Sequence, residues 1–311
     1  MSLTLHQAQG ERKTSADISP DVPAQTPPQL WFDGELVAAD SSCAPLTTHA
    51  LHYGSGVFEG IRSYATERGA AVFRLPEHLE RMRKGAQVLG IDFDAEQATN
   101  AVLRVLRANG QCDAYVRPLA WCGTGSIGLD VAPLSKHLMV ATFPTGVHLA
   151  GGRVRLGVSS WRRNPATSLP PLKLCGAYVN SILAKREAKA RGFDEALFVD
   201  DRGYVVECTG ANVFMVQDNR VVAVEHADAL PGITRDTLIT LTGAVSRAVK
   251  LDELRDADEV FVCGTAAEVT PIDVLDDSDY SGNTIGREIA QLYQRVVRGV
   301  DARHRAWLTD V

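Results

Sequence analysis

Lys173 lies in the run Leu169-Pro170-Pro171-Leu172-Lys173-Leu174-Cys175-Gly176-Ala177-Tyr178, a proline-stiffened loop that feeds a helix. Exposed loops favour short polar side chains, so Leu172 and Leu174 predict burial around the amine. Burial strips solvation from a charged lysine and favours its neutral form. A neutral amine is what Schiff-base chemistry needs. The plain alternative is a solvated loop lysine. The chain has seven lysines against twenty-five arginines, so lysine chemistry has few candidates. Glu207 is the second residue of interest, because it interrupts the apolar run Tyr204-Val205-Val206-Glu207-Cys208. An acid there either alternates outward or meets a buried cation.

Three segments offer themselves to a phosphate. Pro231-Gly232-Ile233-Thr234 opens a helix, whose free N–H groups and dipole favour an anion. Gly264-Thr265-Ala266 adds a second group of N–H donors and a hydroxyl, and Arg81 could add a charge-assisted bond. None is a P-loop or a dinucleotide fingerprint, and ordinary helix entries would read the same way. Arg117, flanked by Tyr115, Val116 and Pro118, is either a structural ion-pair former or a receptor for a carboxylate. The stretch from Leu51 to Arg62 has glycines that let backbone approach closely, and its aromatics could wall a pocket.

The elements that must position these groups are mixed. Leu30 to Val37 reads as a hairpin turning at Asp33-Gly34. Ala70 to Arg74 reads as a strand, and Pro76 starts a helix that Gly90 stops. A helix over Ala95 to Asn109 carries Ala101, Val102, Val105 and Leu106 on one face. Strands follow over Tyr115–Trp121, His137–Phe143 and Val154–Trp161, then a helix over Ala177–Arg191. Shorter strands cover Glu195–Val199, Tyr204–Thr209, Asn212–Val216, Val221–Val224 and Glu259–Cys263. A last helix spans Ile285–Arg298 and leads to a tail after Gly299. The glycine-rich run over 145–152 is the candidate linker. The organisation expected is an arm over 1–29, a smaller α/β domain over 30–144 and a larger one over 153–311.

Composition bounds the function. The 311 residues are 45% hydrophobic and 23% charged, which excludes wholesale disorder. No apolar run is long enough to cross a bilayer, and the first 29 residues lack the apolar core of a signal peptide. A net charge of −6 argues against a nucleic-acid partner. Six scattered cysteines, Cys43, Cys112, Cys122, Cys175, Cys208 and Cys263, suggest neither a zinc site nor disulfides. They fit a reducing cytoplasm, and no metal, nucleic acid or membrane is expected.

Eight segments together resemble the branched-chain amino-acid aminotransferases, of the fold type IV class of pyridoxal-phosphate enzymes. They are LHYGSGVFEGIRSY from Leu51, FRLPEHLERM from Phe73, YVRPL from Tyr115, SSWRRN from Ser159, the Lys173–Tyr178 pair, GYVVECTGANVF from Gly203, LPGITRD from Leu230 and DEVFVCGTAAEVTPI from Asp258. They occur in the family's order across nearly all of residues 30 to 311. The resemblance implies a mixed α/β, two-domain fold, pyridoxal 5′-phosphate as cofactor, and an L-amino acid and a 2-oxo acid such as 2-oxoglutarate as substrates. A homodimer or higher homo-oligomer is implied as well. Lys173 would carry the cofactor as a Schiff base and move the Cα proton. Glu207 would bond the pyridine nitrogen, and Tyr178 would lie near the ring oxygen. Arg81, Gly232, Ile233, Thr234, Gly264 and Thr265 would hold the phosphate, with Leu230 against the ring. Arg117, Tyr115 and the Thr265-Ala266 backbone would fix substrate carboxylates. Phe58 and Tyr53 would wall the side-chain pocket, with Ile127 and Leu129 as apolar members and part of the pocket coming from a neighbouring subunit.

The sequence also departs from the family pattern. Ala211 stands where a second glutamate is usual. Thr145 and His148 stand where bulkier aromatics are expected, which implies a pocket open to donors beyond leucine, isoleucine and valine. The segment Leu241 to Asp258 is short, as though a helix turn were missing. The alternatives are another fold type IV activity, such as an aminodeoxychorismate lyase or a D-amino-acid transaminase, a specialised transaminase with a non-branched substrate, or a cofactor-free relative. An intact Lys173, Tyr178 and Glu207 argue against the last.

Overall fold

The computed structural model describes residues 28–145, 153–280 and 282–311. The arm expected over 1–29 and the linker expected over 145–152 fall almost wholly outside these residues, and His148 lies outside them too.

The first part of the chain runs β1 (Gln29–Phe32), β2 (Glu35–Ala38), α1 (His49–Tyr53), β3 (Gly56–Phe58), β4 (Ile61–Thr66), β5 (Gly69–Phe73), α2 (Leu75–Val88), α3 (Ala95–Ala108), β6 (Ala114–Cys122) and β7 (Lys136–Pro144). Asp33 and Gly34 both take positive φ, 45° and 110°, so the β1–β2 turn is the tight kind that matches strand twist. Asp94 caps α3 by accepting from the Glu96 and Gln97 amides. Ala98, Ala101, Val102, Val105 and Leu106 recur at helical spacing and are buried with Trp31, Ile61, Leu75 and Leu79.

The chain continues through β8 (Arg155–Val158), α4 (Tyr178–Ala190), β9 (Glu195–Val199), β10 (Val205–Cys208), β11 (Asn212–Gln217), β12 (Arg220–Val224), α5 (Ile233–Thr242), β13 (Val245–Arg247), α6 (Leu251–Arg255), β14 (Glu259–Gly264), β15 (Glu268–Ile272), β16 (Val274–Leu275), β17 (Ser278–Asp279), α7 (Thr284–Val297) and β18 (Leu308–Asp310). Three sheets result. The first has the order β18-β5-β4-β6-β7-β1-β2, with β3 also on β6. The second is β10-β9-β8-β16-β17 and the third β13-β12-β11-β14-β15. Strand alternation assigns two faces to the third sheet. Val213, Met215, Val260 and Val262 pack with Leu156, Leu197 and Val205 of the second sheet. Phe214, Val216, Phe261 and Cys263 pack with Ile289, Tyr293, Val296 and Val297 of α7.

Most elements read from the sequence fall within a residue or two of that reading, and α1, β3, β4, β15, β16 and β17 had none. The strand expected over Val154–Trp161 stops at Val158, because the Ser159 hydroxyl and Ser160 amide turn to Glu187 of α4. The strand expected over Tyr204–Thr209 covers Val205–Cys208 only. Leu241 to Asp258, read as short of a helix turn, holds β13 and α6. The tail after Gly299 contains β18, which pairs antiparallel with β5 of the first sheet.

Candidate active site

A cavity of about 900 Å³ gathers residues from α2, β6, β7, α4, β10 and the loops before α5 and β15. Lys173 enters it from the loop before α4. That loop is pinned to β3, since the Phe58 amide donates to the Lys173 carbonyl at 3.1 Å and Val57 bridges Leu174. Gly54 makes the close approach possible: its φ is 65°, and a Cβ there would lie 2.7 Å from the Gly176 Cα. The burial expected around the lysine is only partly found. Leu174 is buried, whereas Leu172 and Lys173 itself are half-buried, because the amine reaches into the cavity. Lys173 Nζ donates to the Tyr178 hydroxyl at 3.0 Å and lies 5.3 Å from the Phe58 ring centre.

Glu207 is buried, and the cation that burial demands is Arg163. Arg163 Nε donates to Glu207 Oε1 at 2.8 Å, while the Leu230 amide and Asn212 Nδ2 donate to Oε2 at 3.0 and 3.4 Å. Burial pushes the Glu207 carboxyl above the usual range, and the Arg163 guanidinium and the Leu230 N–H pull against it. The sequence reading quoted Arg163 inside a motif and gave it no role. The signal was available, because an acid in an apolar strand calls for a partner.

Leu230, Gly232, Ile233 and Thr234 line one end of the cavity, with Gly264, Thr265 and Ala266 beside them. Gly232 precedes α5, and no side chain caps that helix, so its first N–H groups are free for a ligand. A Cβ on Gly232 would lie 1.9 Å from Asn212 Oδ1, which explains the glycine. Arg81 lines the same end, held in place by three bonds that leave other guanidinium N–H donors over. It grips the fully buried Glu59 through Nε–Oε1 at 2.7 Å and Nη2–Oε2 at 2.9 Å, and it donates to the Pro231 carbonyl through Nη1 at 2.9 Å. His78 Nδ1 lies 2.8 Å from Glu59 Oε2. The Arg81 guanidinium holds Glu59 well below the usual carboxylate range against the effect of burial, and burial pushes His78 down. Glu59 and His78 had no role in the sequence reading.

Tyr115 and Arg117 share a face of β6, two residues apart, and Arg117 Nη2 donates to the Tyr115 hydroxyl at 3.1 Å. The Arg117 guanidinium also stacks 4.7 Å from the Phe58 ring centre. Leu119, Met139 and Phe143 line the cavity with them and were missed. Strand period would have found these residues: Tyr115 pairs with Phe143 and Leu119 with Met139 across the β6–β7 ladder. Cys175, Ile182 and Thr209 are further lining residues without an assigned role.

Four expected pocket residues lie elsewhere in the single chain. Tyr53, Ile127 and Leu129 are exposed, and the Tyr53 hydroxyl donates to the Ile127 carbonyl at 3.0 Å. Thr145, at the end of β7, turns its hydroxyl toward the Asp113 carbonyl and does not line the cavity. His148 lies outside the described residues. Among the described residues no cluster of His, Cys, Asp and Glu could hold a metal ion.

Residues 56–275 match the family model described as Amino-transferase class IV. A branched-chain-amino-acid aminotransferase from Pseudomonas aeruginosa is 35% identical over 297 residues, which is 91% of this chain and 97% of that one. The chain belongs to the class IV aminotransferases. Two solved branched-chain aminotransferases share this aminotransferase's fold. That of Thermoproteus uzoniensis, with norvaline, has a TM-score of 0.86 at 38% identity, covering 90% of this chain and 98% of that one. That of Thermobaculum terrenum, in its PLP-form, has a TM-score of 0.84 at 32% identity, covering 91% of this chain and 98% of that one. Both the fold type IV architecture and the motif resemblance are thereby borne out. The cofactor of this aminotransferase is pyridoxal 5′-phosphate, and the donor set fits it. One amine stands in the cavity beside a phenol, one buried carboxylate stands at its wall, and uncapped helix N–H groups close one end. The relatives do not favour the lyase or D-amino-acid alternatives.

Proposed function

We propose that this aminotransferase moves the α-amino group of a branched-chain L-amino acid to a 2-oxo acid such as 2-oxoglutarate. The observation that carries the reading is Arg117. It faces the cavity beside Phe58, Leu119, Met139 and Phe143, and among the described residues no carboxylate pairs with it. An apolar wall with one unmatched guanidinium suits both an aliphatic side chain and a substrate carboxylate.

Pyridoxal phosphate, when bound, supplies a carbonyl that takes up the amino group and a ring that accepts electrons from the substrate Cα. The chain's own residues do the rest. Lys173 Nζ would hold the cofactor and carry the proton to and from the substrate Cα, oriented by the Tyr178 hydroxyl. Glu207, backed by Arg163, would balance positive charge on the pyridine nitrogen. The α5 N-terminus, Thr265 and Arg81 would take the phosphate, with Leu230 on the ring. Arg117, Tyr115 and the Thr265-Ala266 backbone would fix substrate carboxylates. The exposed Tyr53, Ile127 and Leu129 suit burial by a second subunit, which supports a homodimer with a shared pocket. Units over 30–144 and 153–311 would flank the cavity. Among the described residues no helix is long and apolar enough to cross a membrane, and a cytoplasmic location is the reading that the free thiols support.

The test is a donor panel with 2-oxoglutarate as acceptor. Leucine, isoleucine and valine are expected to exceed phenylalanine and every D-amino acid in kcat/KM by roughly tenfold or more, since a mismatched side chain costs about 1–3 kcal/mol in such a pocket. A preference for D-donors, or pyruvate release from aminodeoxychorismate without an acceptor, would sink the reading. A second expectation concerns Gly60, where a Cβ would lie 2.1 Å from the Tyr115 hydroxyl oxygen. Gly60→Ala should push Tyr115 away from Arg117 and raise the KM for 2-oxoglutarate about tenfold, equal to about 1.4 kcal/mol of binding. An unchanged KM would remove Tyr115 and Arg117 from carboxylate recognition.

A further inference from the structure

Glu268 opens β15 with φ 52°, in the left-handed region where a side chain is strained and glycine is usual. Its carboxylate does not line the cavity. It reaches out of the third sheet to β4 of the first, where Arg62 Nη1 lies 2.9 Å from Oε1 and the Tyr64 hydroxyl donates to the same oxygen at 2.8 Å. Tyr64 is buried and packs in one cluster with Tyr293 of α7. Glu268 pairs with Gly264 across the β14–β15 hairpin, so the turn between them is the one that carries Thr265 and Ala266. One carboxylate thus fastens the turn that closes one end of the cavity to a strand of another sheet, although it does not line the cavity itself.

We infer that Glu268 is a positioning residue for the cofactor's phosphate: held by Arg62 and Tyr64, it fixes the Gly264–Ala267 turn. This rests on the reading that this end of the cavity takes the phosphate. A strained backbone persists where surrounding bonds over-determine it. Here those bonds come from a different sheet, so the turn keeps its shape only while the two sheets stay locked. An alanine at 268 would leave the turn free to relax and its donors displaced from a phosphate.

The test separates phosphate binding from everything else. The apoenzyme is titrated with pyridoxal 5′-phosphate and with pyridoxal, which lacks the phosphate, and the ratio of the two dissociation constants is the readout. Glu268→Ala should shrink the preference for the phosphorylated form at least tenfold, and Tyr64→Phe about threefold. Glu268→Gln keeps an acceptor for Arg62 and Tyr64 and should stay within about threefold of wild type. If Glu268→Ala fails to fold, Tyr64→Phe, which removes one hydroxyl, decides. A preference within twofold of wild type in Glu268→Ala and Tyr64→Phe overturns the inference. So does an equal loss for both ligands with a lower melting temperature of the apoenzyme, which marks a purely structural role. A wild-type protein that binds both ligands alike overturns the phosphate reading itself, and the clamp with it.

Discussion

Lys173→Ala is expected to abolish transamination, with a loss on the order of 10⁴-fold or more. Two proposed contributions would disappear together: the covalent hold on the cofactor and the base that moves the Cα proton, and the second alone accounts for roughly 10²–10⁴-fold in enzymes of many kinds. No neighbour can stand in. Among the described residues Lys173 is the one lysine lining the cavity. Lys136 donates to the Val131 and Leu134 carbonyls, Lys185 pairs with Glu195 at 2.7 Å, and Lys250 donates to the Arg202 carbonyl at 2.6 Å. Borohydride reduction of the holoenzyme followed by peptide mapping should therefore place the cofactor on Lys173. Label on Lys136 or Lys250 would show the site to be wrongly placed.

The second large effect is expected at Glu207. An amide keeps the shape and accepts a hydrogen bond, but it cannot balance a positive charge on the pyridine nitrogen. Removing a pre-organised electrostatic partner from a water-poor site costs about 10²–10³ in rate, or about 2.7–4 kcal/mol. Glu207→Gln should retain cofactor and lose single-turnover rate by that factor. The same change leaves Arg163 buried without its carboxylate, and breaking a buried pair typically costs about 3–5 kcal/mol of stability. The two effects separate cleanly: the rate is measured on folded, cofactor-loaded protein, and stability by denaturant titration. A single-turnover rate equal to wild type would remove Glu207 from the chemistry, whatever happens to stability.

The sequence was most legible where chemistry constrains residue type. Lys173, Tyr178 and Glu207, and the turns at Gly232 and Gly264, all reach one cavity, because few residue types can hold an amine, a phenol, a buried acid and free N–H donors together. Helix α3 was legible from its apolar period, and the β1–β2 hairpin from Asp33-Gly34. The supporting residues were harder. Glu59, His78 and Arg163 act on other side chains rather than on a ligand, and their partners lie far along the chain, so no local pattern pairs them. Tyr53, Ile127 and Leu129 illustrate another difficulty. The pocket expected of them would need a second subunit, and in one chain they simply face outward. Strand β18 was missed because three residues after a helix carry no periodicity to read.

That short strand also sets the order in which the molecule can be finished. β18 covers the outer edge of β5, with Leu308 opposite Phe73 and all the chain between them already made. Until it arrives, Ala71, Val72 and Phe73 present an unpaired apolar edge, the kind of template that recruits other chains. Closing so long a loop costs entropy before its contacts repay it, so this edge is expected to pair late. During synthesis the early part of the first sheet would therefore wait, vulnerable to aggregation, for residues made long after it.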